Sequence, residues 1–252
     1  MGWSILPHGV VDGATSDMVE DAGLGLSTEG LRLDFIPLAL RRRCSSFSKV
    51  TLAVAHAAAR ECNDLHNTRT VFASSYGESQ ITYDLLQDLA IGQQLSPMGF
   101  SLSVHNAGSG LYSIATNNKA FSTAIAAGKR TFLMGLCESL LTLSESDAAT
   151  VLYVCSDDLV PPELLPDGAM QAQPYALAVL LGSQRVASAR NLSVEVKQSR
   201  GKTAQDPEFH ALACARWLQN TTPVLELEDG ESTWTLSLDG DVAHLRRSAC
   251  QV

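Results

Sequence analysis

The sequence has little of what marks a membrane protein or a nucleic-acid-binding protein. It has no apolar run near the roughly 20 residues that a bilayer span requires, and its start lacks the charged and apolar regions of a signal peptide. The longest basic tract is Arg41-Arg42-Arg43, and the formal net charge is -9. Nucleic-acid binding needs a basic face. We therefore expect a cytoplasmic protein with no membrane span and no nucleic-acid partner.

The cysteines also lack the spacing of a metal site or a disulfide framework. None of the six cysteines forms a C-x-x-C pair, which is the spacing typical of structural zinc sites. Buried, reduced thiols are the ordinary condition of cysteines in a cytosolic protein. We expect no metal and no cofactor.

The length and composition are those of a globular protein with a sizeable core. The chain has 252 residues, of which 45% are hydrophobic and 18% are charged. Predicted helices alternate with apolar strands, which indicates an α/β layered domain with a largely parallel sheet. We treat residues 1–252 as one domain.

The individual elements follow from hydrophobic periodicity and from capping residues. Residues 1–30 are predicted to be an irregular lead-in, and Ser48 is predicted to cap a helix that ends near Cys62. Further helices are predicted near 81–89, 131–143 and 207–218, and strands near 70–74, 100–104, 150–155, 175–181, 192–196 and 234–238. Residues 156–174 are rich in proline and acidic side chains, which predicts a surface loop.

The most informative stretch begins at Phe100. Residues 100–104 alternate with period two, as a strand does, and they run into His105-Asn106-Ala107-Gly108-Ser109-Gly110, where a helix begins. A strand, a tight turn of small residues and a helix form a nucleophile elbow. Such a turn lifts one side chain out of the sheet, and the N–H groups of the helix stabilise a developing anion.

An ordered series of blocks that includes this stretch resembles the thiolase-like ketosynthase family. The resemblance is greatest to its short branch, similar to the chain-length-factor subunit of aryl polyene ketosynthase heterodimers. The blocks are 41–43, 72–78, 95–97, 100–107, 123–128 and 135–138, and the resemblance is clearest over residues 30–182. It implies a thiolase-like layered α/β fold that is truncated relative to a complete ketosynthase.

The resemblance also implies that the catalytic groups are missing. The family's elbow carries a cysteine thiolate that takes an acyl chain from a carrier protein. Aligning Ser109-Gly110 with the family's small pair places Ala107 at that position, and alanine has no nucleophile. The family supplies further histidines, or a histidine and an asparagine, from glycine-rich loops. Only His210 and His244 remain downstream here, and neither lies in such a loop.

The implied function is a noncatalytic subunit that pairs with a complete ketosynthase in aryl polyene, polyketide or fatty-acid-type biosynthesis. An acyl carrier protein would dock mainly through that partner. Because elbow-side strands pair across the dimer in this family, the expected interface strand is Phe100, Ser101, Leu102, Ser103 and Val104, with Ser101, Ser103 and His105 on one side. Phe132, Met134 and Leu136 are candidates for an acyl tunnel, although an apolar helix face is more often core.

Two other functions stay open from the residues alone. An independent esterase or acyltransferase would use Ser109 or Cys137 as its nucleophile. A scaffold subunit would stabilise a multienzyme assembly without contacting substrate. His105 and Asn106 in a turn more often satisfy backbone groups than act in catalysis.

Overall fold

Strands and helices alternate along the chain. The computed structural model describes residues 3–5, 9–12, 28, 30–61, 64–145, 150–165, 174–182, 190–199, 207–219 and 222–239. The strands are β1 (Trp3–Ile5), β2 (Gly9–Asp12), β3 (Arg69–Ala73), β4 (Ser122–Ile125), β5 (Thr150–Asp157), β6 (Tyr175–Gly182), β7 (Arg190–Gln198), β8 (Val224–Glu228) and β9 (Ser232–Asp239). The helices are α1 (Leu38–Arg41), α2 (Ser46–Ala58), α3 (Ser79–Ala90), α4 (Pro97–Leu102), α5 (Ala107–Thr116), α6 (Thr131–Glu145) and α7 (Pro207–Gln219).

All of these strands join one mixed sheet. The order is β4-β3-β5-β6-β1-β7-β9-β8, and β2 also pairs with β6. Strand β3 runs parallel to β4 and β5, so that Phe72 lies opposite both Ala124 and Val154. The other pairs are antiparallel. Within the described residues, β4, β8 and β2 each pair with another strand along one side only.

Two sequence predictions about this sheet are wrong. The sheet is not largely parallel, because only β3, β4 and β5 run parallel. Strand β6 returns antiparallel to β5, and β8 and β9 form a hairpin that turns at Gly230, where φ is +89°. Residues 1–30 are not wholly irregular, because β1 and β2 lie inside the sheet. Their strand partners come from the second half of the chain, so no local sequence pattern predicts these two strands.

Helices cover both faces of the sheet, which gives three layers. Helices α2 and α5 pack on one face against Phe72 and Leu152, and α6 and α7 pack on the other against Tyr153 and Leu181. Successive side chains of a strand point to opposite faces, so Leu152 and Tyr153 belong to different clusters. All of β6 and nearly all of β5 are buried, which places these two strands at the centre of the core.

Helix α2 begins one turn earlier than predicted. Ser45 has an extended backbone, and its Oγ accepts the backbone N–H of Ser48 at 2.8 Å. Ser45 is therefore the N-cap, and the predicted cap at Ser48 is wrong, because this second serine is buried inside the helix. The predicted end near Cys62 lies outside the described residues. Helix α2 ends at Ala58, and a 3-10 turn follows to Glu61.

The long elements between 69 and 239 are otherwise confirmed to within a few residues, with one exception at 100–104. The region after 185, for which the family resemblance makes no prediction, contributes α7 and the strands β7, β8 and β9. These extend the sheet beyond β1. The β8–β9 turn is held to the start of α6 by Arg130, whose guanidinium lies 2.7 Å from Glu231 and 3.7 Å from Asp229.

Candidate functional site

Residues 97–102 are helical, so the predicted interface strand is wrong as a strand. Ser96 caps α4 by accepting the Gly99 N–H at 3.1 Å, and Pro97 occupies the first helical position, where its fixed φ favours a helix. This start signal outweighs the period-two alternation that follows it. The cap and the proline were both visible in the sequence.

The five predicted interface residues form the last turn of α4 and the bend after it. Phe100 is 64% exposed and Val104 is 45% exposed, whereas Leu102 is buried. The hydroxyls of Ser101 and Ser103 each donate to the carbonyl three residues earlier, at 2.8 and 2.9 Å. These two side chains therefore bond within the helical turn rather than alternating along a strand.

Ala107 lies at the start of a helix, but it does not follow a strand. As predicted, the helix begins within the turn, at Ala107. Ala107 is only 6% exposed, and Ser109 is 7% exposed inside the first turn, where its Oγ donates to the Asn106 carbonyl at 3.0 Å. A helix, a turn and a second helix do not lift a side chain out of the sheet. The elbow geometry predicted at this position is absent.

A strand-to-helix bend of small residues occurs instead between β4 and α6. Ala126, Ala127 and Gly128 follow the strand, and Gly128 has φ +54°. The fully buried Thr131 organises the bend from the first turn of α6. Its Oγ1 accepts the Ala127 N–H at 3.0 Å and donates to the Gly128 carbonyl at 2.7 Å. Ala127 is half-buried and lies between the end of β4 and the short 3-10 turn that begins at Gly128.

The bend that contains Ala127 was not predicted as an elbow, although the sequence carries a signal for it. Residues 123–128 form one of the blocks that carry the family resemblance, and they end in Ala-Ala-Gly before an apolar helix. An apolar run, small residues and a helix are the sequence signature of a nucleophile elbow. The alternating residues at 100–104 presented the same signature more strongly.

The turn between β3 and α3 lies beside the predicted elbow residues. The Nε2 atom of His105 lies 2.8 Å from the Ser74 carbonyl oxygen. A carbonyl only accepts hydrogen bonds, so Nε2 carries the proton. Gly77 completes the turn with φ +58°, and a Cβ there would lie 3.4 Å from the His105 backbone and ring. The positive φ therefore favours glycine here, and a Cβ would only just fit against His105.

A buried carboxylate holds this turn from the end of β5. Oδ1 of Asp157 accepts the Ser74 hydroxyl at 2.6 Å and the N–H groups of Ser75 and Tyr76 at 2.7 and 3.2 Å. Oδ2 accepts the Tyr175 hydroxyl at 2.9 Å. Burial raises the pKa of Asp157, and these hydrogen bonds offset part of the increase because they favour the charged form.

A second buried carboxylate, Glu78, closes the other side of the turn. Its Oε1 accepts the hydroxyl of Ser45 at 2.9 Å and also the hydroxyl of Ser48, both at the start of α2. Burial raises the pKa of Glu78, and the two serine hydroxyls partly counteract the increase. Two carboxylates from different elements thus converge on one short turn.

A small cavity lies among these groups, at the carboxyl ends of the parallel strands β3 and β5. This is the edge at which open α/β sheets bind ligands. Its polar lining comes from Thr51, Ser74, Glu78, His105, Ser109 and Ser156. The cavity volume is about 20 Å³, which is room for one water molecule. Asn106 and Ala107 are not among its lining residues.

The candidate tunnel residues lie on the opposite face of the sheet. Phe132 and Leu136 are buried at 1% and 3% exposure in the cluster under α6 and α7, and Met134 packs against that cluster while partly exposed. None of the three lines the cavity described above. Cys137 is half-buried, and burial followed by the nearby Glu138 raises the pKa of its thiol. A raised pKa leaves less of the reactive thiolate.

The described part of the chain shows neither a grouping of side chains suited to a metal nor a membrane-spanning helix. No three histidine, cysteine, aspartate or glutamate side chains are grouped so as to hold an ion there. No helix in those residues is both long enough and apolar enough to cross a bilayer.

Comparison with known sequences identifies one family. The sequence matches the family described as beta-ketoacyl synthase, N-terminal domain, over residues 19–237. The match extends beyond residues 30–182, the range over which the blocks of the sequence resemble the family most clearly. No curated protein matches the sequence.

Solved ketosynthase structures have the same fold. A ketosynthase (ApeO) in complex with its chain length factor (ApeC) from Xenorhabdus doucetiae matches with a TM-score of 0.74 and 22% identity, over 94% of this chain and 99% of that chain. The ishigamide ketosynthase/chain length factor matches at 0.54 and 15%, over 78% and 66%. AntDE:AntF, a type II PKS acyl-carrier protein in complex with its ketosynthase, matches at 0.59 and 14%, over 83% and 88%.

At these identities the structural likeness establishes the fold alone. The thiolase-like layered α/β fold expected from the sequence is confirmed. The sequence match covers well over half of the chain. The chain therefore belongs to the beta-ketoacyl synthase N-terminal domain family.

Proposed function

We propose that this chain is a noncatalytic, chain-length-factor-like subunit that pairs with a complete, active ketosynthase. Together the two subunits extend acyl or polyene chains bound to a carrier protein, in aryl polyene, polyketide or fatty-acid-type biosynthesis. The observation that carries the proposal is Ala127, which puts a methyl group at the apex of a strand-to-helix bend.

The bend keeps the backbone of an elbow without its chemistry. Gly128 has positive φ, and Thr131 ties the turn with two hydrogen bonds. Covalent acyl transfer needs a nucleophile at the apex, and Ala127 has none. We therefore assign the family's nucleophile position to Ala127 rather than to Ala107. Both residues are alanines, so the inference of an inactive site is the same for either assignment.

Two of the described histidines, His105 and His210, are each tied through Nε2 to a backbone carbonyl. Nε2 of His105 donates to the Ser74 carbonyl, so that nitrogen cannot accept a proton while the bond holds. His210 is fully buried, and its Nε2 lies 3.1 Å from the Glu228 carbonyl oxygen. A general base must reach the reacting group directly or through one water. The proposed partner supplies the cysteine and the histidines.

The structural relatives support a pairing of this kind. Two of them are described as ketosynthases with a chain length factor. In the Xenorhabdus doucetiae complex, the alignment covers nearly the whole of this chain and of the one chain that it matches. A third is described as a ketosynthase with an acyl-carrier protein. By analogy, this chain binds a complete ketosynthase directly, and the carrier protein docks mainly through that partner.

The proposed interface with the ketosynthase includes residues 100–104, which form the end of α4 and the bend after it. Phe100 and Val104 are exposed apolar side chains, and exposed apolar clusters mark interaction sites. The described cavity is too small for an acyl chain, so the tunnel lies between the two subunits. Of the three tunnel candidates, Met134 alone is not fully buried. Replacing it tests whether this chain contacts the acyl chain.

Reconstitution tests the proposal. The chain is purified alone, the ketosynthase encoded beside it is purified alone, and the two are also co-purified before condensation is measured with acyl carrier protein. We expect a stable heterodimer, condensation by the pair and none by this chain. Full condensation by the lone chain would refute the proposal. Unchanged product length in Met134→Ala would favour the scaffold function instead.

Thiol mapping tests the assignment of the apex. Ala127→Cys and Ala107→Cys are each treated with a small charged alkylating agent, and modification at each position is quantified by mass spectrometry. We expect faster labelling of the first variant, because Ala127 is half-buried and precedes a helix start, whereas Ala107 is 6% exposed. Equal or slower labelling at position 127 would contradict the assignment.

The esterase or acyltransferase function has no support from the site geometry. Ser109 is buried and its hydroxyl donates to a backbone carbonyl, and the pKa of the Cys137 thiol is raised. Ser109→Ala and Cys137→Ser should therefore leave any acyl-ester turnover by the purified chain unchanged. Loss of turnover in either variant would revive that function.

A further inference from the structure

The segment from α3 to the bend after α4 meets the rest of the molecule at one turn and through Ile81 and Leu102, which pack on the cluster under α2 and α5. Helix α3 begins at Ser79, directly after the Ser74–Glu78 turn. The other end of the segment reaches the same turn through His105, whose Nε2 donates to the Ser74 carbonyl at 2.8 Å. The conformation of this turn therefore governs both ends of residues 79–104.

This segment buries little of itself. Ser79 is the only buried residue among those of α3, and Leu102 is the only one among those of α4. The large exposed apolar side chains between residues 79 and 102 are those of Leu86, Leu89, Ile91, Met98 and Phe100. An element with so few buried side chains is held only weakly by packing. Its direction depends on its points of attachment.

The Asp157 carboxylate fixes the first three residues of the turn, while Glu78 holds the last residue to the start of α2. Asp157 is 4% exposed, and three of its four donors come from consecutive residues of the turn: the Ser74 hydroxyl and the N–H groups of Ser75 and Tyr76. The Ser74 hydroxyl oxygen in turn accepts the Gly77 N–H at 2.7 Å. Charge-assisted bonds of this kind are stronger than neutral ones.

We propose that Asp157 is a positioning residue: it sets the Ser74–Glu78 turn so that His105 is seated and residues 79–104 are presented to the ketosynthase partner. The partner in this statement rests on the proposed function. The effect on the turn and on His105 does not, because both belong to this chain alone.

The hydrogen bonds provide a matched set of variants. Asp157→Ala removes every bond of the carboxylate, and Ser74→Ala removes one bond to it together with the acceptor for Gly77. Tyr175→Phe removes a bond to the same carboxylate, but one that comes from the core strand and not from the turn. In Asp157→Asn the amide oxygen can still accept the three donors of the turn.

The first measurement is the NMR signal of the His105 Nε2 proton in the full-length lone chain, assigned by its loss in His105→Gln. A ring N–H proton that is hydrogen-bonded to a carbonyl exchanges with water slowly enough to give a visible NMR signal. We expect the signal to persist in Tyr175→Phe and Asp157→Asn, and to be lost or broadened in Ser74→Ala and Asp157→Ala. If Asp157→Ala does not fold, Ser74→Ala carries the test.

A purely structural role for Asp157 predicts a different pattern. All four variants would then lose stability without separating into two groups by the His105 signal. Persistence of the signal in Ser74→Ala, or its equal loss in Tyr175→Phe, would overturn the inference.

The second measurement is the affinity for the co-purified ketosynthase. If the turn is in its binding conformation about a tenth of the time, affinity falls about tenfold. We expect that loss in Ser74→Ala and little change in Tyr175→Phe. Equal affinities in the two variants would overturn presentation of the segment to the partner. If the unmodified chain binds no ketosynthase, the proposed function fails, while the NMR result still decides the role of Asp157.

Discussion

At the scale of single residues, the molecule places two carboxylates in environments that act on their pKa in opposite directions. Burial raises the pKa of Glu78, and hydrogen bonds from serine hydroxyls only partly offset it. Burial would also raise the pKa of Asp229, but the Trp234 indole, two backbone N–H groups and Arg130 hold it below its usual range. The two residues therefore contribute to stability with opposite dependence on pH.

Glu78→Gln should show the first dependence. The folded chain holds the Glu78 proton to a higher pH than the unfolded chain, so this residue's contribution to stability falls as pH rises from 4.5 through the raised pKa. Glutamine keeps an oxygen that can accept both serine hydroxyls but has no charge. The variant should therefore gain stability relative to the unmodified chain as pH rises through this window. Urea unfolding at several pH values measures it, and a constant difference would contradict it.

Asp229→Asn should show the second dependence. Its lowered pKa gives stability that is present above the unfolded value of 3.8 and is lost as pH falls through the folded value. We expect the variant to lose about 1–3 kcal/mol at neutral pH, the usual cost of weakening hydrogen bonds to a charged group. The loss should shrink in acid. A loss that stays the same down to the acid limit would argue for a purely geometric effect.

At the scale of elements, two helical glycines make contrasting demands on packing. In α6, a Cβ on Gly135 would lie 2.7 Å from the Tyr153 ring and 2.8 Å from the Ala73 side chain. In α5, a Cβ on Gly110 would meet nothing within 4 Å. The first glycine lets α6 approach the sheet closely, and the second has no such role.

Alanine at these two positions should change stability in opposite directions. Gly135→Ala is expected to cost about 1–3 kcal/mol because it overpacks a tight contact. Gly110→Ala is expected to gain about 0.5–1 kcal/mol, because alanine is the better helix former and restricts the unfolded chain. Thermal unfolding compares the two. A stabilising Gly135→Ala would mean that the tyrosine ring can move aside.

The elements that could be predicted from the sequence are those with strong local patterns of hydrophobic residues. Helices α3 and α6 and strands β5 and β6 have long periodic or apolar runs bounded by glycine or proline. Strands β1 and β2 are short and pair with strands far along the chain, and β8 has only five residues, so local pattern does not reveal these three strands. At 100–104 two local signals conflict, and the cap and proline of α4 outweigh the alternation. That conflict also placed the predicted elbow at residues 105–110, which follow a helix rather than a strand.

At the scale of the whole molecule, the sheet separates two apolar clusters. One lies under α2 and α5 and the other under α6 and α7. Trp217 and Trp234, two of the chain's three tryptophans, belong to the second cluster. Strands β5 and β6 contribute side chains to both clusters, so loss of either cluster should unfold the whole sheet.

Leucine truncations on opposite faces test this cooperativity. Leu52→Ala and Leu133→Ala, both at fully buried residues, should each cost about 2–5 kcal/mol. The double variant should lose the sum to within about 0.5 kcal/mol, because the sites share no partner. Tryptophan fluorescence and circular dichroism should report one common transition in each variant. A fluorescence transition unmoved by Leu52→Ala would show that the two faces unfold independently.

Strand β1 lies between β6 and β7, and in the described sheet it is the link between the central strands and the three that follow. Residues 3–5 are thus needed to join parts of the sheet that are synthesised much later than they are. A nascent chain cannot close this sheet until residues 3–5 meet residues 181–182 and 190–192. Removing residues 3–5 would for the same reason affect the distant hairpin of β8 and β9 most strongly.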